Sequence, residues 1–136
     1  MLGSLIIVDS KGAPVFVGQR TQMSQWVPIE AETERYLYSL LDSLRQQLWG
    51  FHGRLGSFRG EFAYGFVARE GSRFLFLSAV ELDQLGDSLS QFIERVEALY
   101  MRETLNPLGG CVGISRNHIF MDELSSIIDT CFTSRP

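Results

Sequence analysis

The segment IEAETERYLYSLLDSLRQQLW, residues 29–49, limits the possible folds more than any other part of the chain. Leu37, Leu40, Leu41, Leu44 and Leu48 recur at helical spacing, so a single helix would present one continuous apolar face. Glu30, Glu32 and Glu34 lie near its amino end, where the helix dipole favours negative charge. Burying each leucine contributes roughly 1.5–3 kcal/mol before the cost of ordering is subtracted. A face of that kind needs a sheet or another helix to cover it.

Two hairpins are the natural cover. In SLIIVDSKGAPVFVGQ, the β-rich runs Leu5 to Val8 and Val15 to Val17 flank Asp9-Ser10-Lys11-Gly12, whose small polar residues suit a turn. Pro14 has no amide hydrogen and belongs at the start of the second strand. RTQMSQWVP reads as irregular. EFAYGFVAREGSRFLFLSAV predicts the second hairpin, turning at Glu70-Gly71-Ser72. Its first strand places Phe62, Tyr64 and Phe66 on one face and the smaller Ala63, Gly65 and Val67 on the other, where a helix can approach closely. Between helix and hairpin lies GFHGRLGSFRG, with glycines at 50, 53, 56 and 60, which reads as a mobile connection.

Two further helices follow. DSLSQFIERVEALYMRETL has a capping-box pair, Ser88 and Gln91, and an apolar stripe of Leu89, Phe92, Ile93, Val96 and Leu99. Asn106-Pro107 ends it, because proline cannot continue a helix and disfavours helical dihedrals in the residue before it. A last helix, about Asn117 to Cys131, aligns Phe120, Leu124, Ile127, Ile128 and Cys131, with Asn117 or Ser115 as cap. The predicted class is α+β: an antiparallel sheet from two hairpins with three amphipathic helices, in the order β-β-α-β-β-α-α. The 136 residues suit a single domain spanning 1–136. Hydrophobic residues at 45% and charged residues at 21% suit a globular chain.

Composition also weighs against several function classes. A net charge of −4 gives no general attraction to nucleic-acid phosphates. No apolar run approaches the roughly 20 residues that span a bilayer, and the amino terminus lacks a basic, signal-like segment. The expectation is a soluble, cytosolic chain whose Cys111 and Cys131 are free thiols.

The residues of chemically reactive type read better as structure. His52, His118, Cys111 and Cys131 lack the clustered spacing of a zinc site. Cys111 near His118 suggests a nucleophile and base, yet no residue is placed to orient the imidazole. The glycine-rich segment lacks the Gly-Lys-Ser/Thr ending of a phosphate loop and leads into a strand. Glu81, Asp83 and Asp87 supply too few oxygens for a calcium loop. No enzyme, metal or cofactor is expected. The glycine-rich segment instead offers Phe51, Arg54, Phe58 and Arg59, residue types enriched at protein interfaces. Asp42 follows Leu41 at the margin of the stripe, within helical reach of Arg45 and Gln46. The candidate partner-binding residues are Asp42, Arg45, Trp49, Phe51, Arg54 and Phe58.

Several short motifs, in a shared order, resemble one known family. They are the opening hairpin LIIVDSKGAPVFV, the pair Leu41-Asp42 with Trp49 after it, and RFLFLSAVELDQLGDSLSQFIERVEALY with its terminal Leu-Tyr. Asn106-Pro107 then leads through a loop to Ile114, and to Phe120 with Asp122 nearby. Together these resemble the sedlin-type subunits of the TRAPP vesicle-tethering complex, which have a longin-like fold. Two positions depart from the family pattern: Leu108 stands where an aromatic usually follows Asn-Pro, and Met121 separates Phe120 from Asp122. The resemblance implies a noncatalytic subunit that docks with other TRAPP-type subunits. The assembly would support nucleotide exchange on a Rab-type GTPase, at the cytoplasmic side of ER or Golgi membranes. Self-association stays open. A small coat-adaptor subunit is the alternative, although such chains typically lack the Asn-Pro break.

Overall fold

A computed structural model describes residues 2–21, 25–44, 49–79, 81–82, 86–104 and 118–132. They fall into two compact units, residues 1–83 and 84–136.

The first unit is built on a six-stranded antiparallel sheet. Strands β1 (Leu2–Val8) and β2 (Pro14–Arg20) form the expected hairpin, with Pro14 as the first residue of its strand. The Asp9 carboxylate closes the turn by accepting the amides of Lys11 and Ala13, both at 2.9 Å. The next elements are β3 (Trp26–Val27), α1 (Ala31–Ser39), α2 (Leu41–Leu44), β4 (Gly50–Phe58), β5 (Glu61–Val67) and β6 (Arg73–Ser78). The spatial order is β3-β2-β1-β6-β5-β4, so the two predicted hairpins join through β1 and β6 at the centre.

The two faces of this sheet differ in composition. On one, Ile6, Val8, Ala63, Val67, Leu75 and Leu77 form a buried cluster with Leu37 of α1 and Leu44 of α2. The small-residue face of β5 does admit a helix closely. A Cβ at Gly65 would stand 2.9 Å from Leu44 Cδ1. The other face is aromatic: Phe16, Tyr64, Phe66, Phe74 and Phe76 are buried there with Leu5 and Ile7. Phe66 stacks on Phe74 with ring centres 4.4 Å apart, and Tyr64 stacks on Phe76 at 5.9 Å. The Tyr64 hydroxyl accepts the Leu82 amide at 2.9 Å, so its buried polar tip has a partner.

Three sequence expectations are corrected here. GFHGRLGSFRG is not a mobile connection, because residues 50–58 are the terminal strand β4, paired to β5 from Gly50↔Val67 to Phe58↔Glu61. Its glycines accommodate the irregularity that disguised it: Gly50 and Gly53 have φ of 125° and 77°, and the register shifts twice. The leucine-rich helix is not continuous either. The Ser39 hydroxyl bonds the Tyr36 carbonyl at 2.5 Å, and the Leu40 amide bonds the Leu37 carbonyl at 3.0 Å. This tighter pattern separates α1 from α2. Finally, Trp26 and Val27 are strand and not irregular, pairing with Arg20 and Gln19 while Trp26 packs edge-on against Phe16 at 5.2 Å. Among the described residues the order is therefore β-β-β-α-α-β-β-β-α-α, with six strands in place of the four expected.

The second unit pairs α3 (Asp87–Thr104) with α4 (His118–Phe132). Leu89, Phe92, Val96 and Leu99 of the predicted α3 stripe are buried, as are Phe120, Leu124, Ile128 and Cys131 of α4. Ile93 and Ile127 lie at the half-buried margins. Arg102 of α3 donates to Glu123 of α4 at 2.7 Å. Helix α3 begins at Asp87, so Ser88 sits inside the first turn and not at the cap. Asn106-Pro107, Cys111, Ile114, Ser115 and Asn117 lie outside the described residues.

Candidate functional site

Strand β4 gathers most of the predicted interface residues, because it ends the sheet and has a described neighbour on one side only. Trp49 immediately precedes it and is 62% exposed. The Arg69 guanidinium lies over the Trp49 indole, 5.0 Å from its centre. Phe51 stacks on Tyr64 at 5.9 Å, and Arg54 lies 5.1 Å above the ring of Phe62. Arg54 also approaches Glu81, with Nη1 and Oε1 3.5 Å apart. Phe51 and Arg54 thus share the aromatic face of the sheet.

Phe58 belongs to the opposite face. It packs against the cluster beneath α1 and stacks on Tyr36, with ring centres 4.8 Å apart. The register shifts in β4, between Phe51 and Arg54 and again before Gly56, break the simple alternation and divide the predicted residues between faces. Asp42 lies exposed on α2. Arg45 lies outside the described residues. The six predicted positions are therefore not one patch. Trp49, Phe51 and Arg54 line the end of the sheet and its aromatic face, while Phe58 tethers the strand to α1.

Sequence reading missed the partners of these residues. Arg69, Glu81 and Tyr36 lie 20, 27 and 22 positions from Trp49, Arg54 and Phe58 respectively. No local spacing signals such pairs; the antiparallel pairing of β4 with β5 and the packing of α1 create them. The i, i+2 spacing of Phe62 and Tyr64 was the available clue, since any strand beside β5 would offer side chains to both rings.

The proposed chemical groups stand as follows. Cys131 is a buried free thiol, and burial pushes its pKa up, with Arg95 opposing. His52 lies half-buried in β4. Cys111 and the side chain of His118 lie outside the described residues. Among the described residues no three His, Cys, Asp or Glu side chains group as metal ligands. No described helix is long and apolar enough to cross a membrane. The arrangement around β4 offers stacking surfaces and cations, which suit it to binding another macromolecule. No protein-family model matches the chain. A search of curated proteins returns no similar sequence.

Proposed function

We propose that this chain is a noncatalytic docking subunit with a longin-like fold, part of a TRAPP-type vesicle-tethering assembly. In that role it holds neighbouring subunits together while the assembly supports nucleotide exchange on a Rab-type GTPase at ER or Golgi membranes. The observation that carries the reading is the exposed Trp49 immediately before the terminal strand, with Phe51 and Arg54 along it. Tryptophan and arginine are enriched among the few residues that carry most of the binding energy of protein interfaces. The other support is the resemblance carried by the short sequence motifs, from the opening hairpin through Leu41-Asp42 to Asn106-Pro107.

The test is affinity purification of the tagged chain from its source cell. Stoichiometric recovery of TRAPP-type subunits is the expected result. Recovery of coat subunits would transfer the chain to the adaptor class. Recovery of the chain alone would defeat the docking role.

A further inference from the structure

The β4–β5 connection is two residues long, Arg59 and Gly60, with φ of 53° and 83°. Both positive values suit a tight hairpin, but an arginine in the left-handed region is unusual, since glycine or asparagine fits there more easily. The side chain accounts for the choice. Arg59 Nη1 donates to Glu30, and Nη2 donates to Glu32. Glu30 caps α1 without a side-chain cap bond of its own, and Glu32 lies in the first turn. The same guanidinium lies 5.0 Å from the centre of the Phe58 ring, which in turn stacks on Tyr36 of α1. The Tyr36 hydroxyl occupies the space that a Cβ at Gly56 would need. Three hairpin positions thus grip three positions on one helix.

We infer that Gly56, Phe58 and Arg59 form a two-part clasp that fixes the end of the terminal strand to α1, its ionic half at the amino end and its aromatic half at Tyr36. Its ionic half is exposed: the side chains of Arg59, Glu30 and Glu32 are 53%, 52% and 60% accessible, so dissolved salt screens it. The aromatic half, Tyr36 and Phe58, is half-buried and holds no charge for salt to screen. Opening the ionic half loosens the strand end while the stacked rings keep it near the helix. The inference rests on unit geometry and stands apart from the proposed trafficking role.

Hydrogen exchange read by mass spectrometry on the full chain tests it, comparing wild type with Arg59→Asn. Asparagine tolerates the left-handed turn, so the substitution removes the charge without straining the backbone. At low salt, peptides covering residues 30–37 and 54–60 should exchange severalfold faster in the variant. Wild type should approach the variant at about 1 M salt, where the screening length is about 3 Å. A Glu30→Gln/Glu32→Gln variant should behave like Arg59→Asn. Peptides from β1 and β6 should not change in either variant. Equal protection in wild type and variant, or salt-independent wild-type protection, would overturn the clasp. So would faster exchange spread evenly through β1 and β6, which would make Arg59 a global stabiliser.

Discussion

A Cβ at position 65 would lie 2.9 Å from Leu44 Cδ1, 3.0 Å from Leu55 Cδ1 and 3.2 Å from Leu75 Cδ2. Three buried or half-buried leucines would have to move to admit a larger side chain. Gly65→Val should therefore cost about 1–3 kcal/mol through overpacking, measured as a lower midpoint of urea unfolding. Asp42, exposed on α2, makes the opposite case. Asp42→Ala should change stability by no more than about 0.5 kcal/mol, yet reduce recovery of partners if the residue borders an interface. A large fall in melting temperature with partner binding unchanged would reverse that assignment. Cys131 responds to pH. Burial raises its pKa, so the folded chain holds the thiol proton more tightly than the unfolded chain does. The resulting stability is complete below the unfolded value of about 8.5 and is lost as pH rises through the higher folded pKa. Iodoacetamide at pH 8, followed by peptide mapping, should label Cys131 only after denaturation. Equal labelling of native and denatured protein would contradict its burial.

At the scale of elements, Leu44 of α2 reaches the cluster shared by β5 and β6. Leu44→Ala should cost about 2–5 kcal/mol, visible in the same urea titration, because the strands on either side of Gly65 leave little room to collapse into the cavity. What the sequence disclosed and what it hid follow from the range of the forces involved. The β1–β2 and β5–β6 hairpins and the stripes of α3 and α4 are legible because their periodicity is local. Strand β4 is not, because four glycines between 50 and 60 read as a loop, and its ladder is completed only by β5. The break at Leu40 is equally hidden, since it depends on the Ser39 hydroxyl taking a helix carbonyl. The candidate site was legible as a list of residue types. Its division between two faces was not, because the register shifts in β4 decide it.

At the scale of the whole molecule, the account turns on binding. An exposed tryptophan immediately precedes the terminal strand of a six-stranded sheet, with Arg69 over its ring; Arg54 of that strand lies over Phe62, and apolar side chains fill both faces behind it. Interfaces concentrate their energy in a few such anchors, so one truncation should separate folding from docking. The most direct measurement is quantitative affinity purification of the tagged wild-type chain beside Trp49→Ala, with circular dichroism melting of both. The account predicts melting curves that nearly coincide and a loss of at least about tenfold in partner affinity, equivalent to about 1.4 kcal/mol. Equal recovery of the same companions by both chains would contradict it.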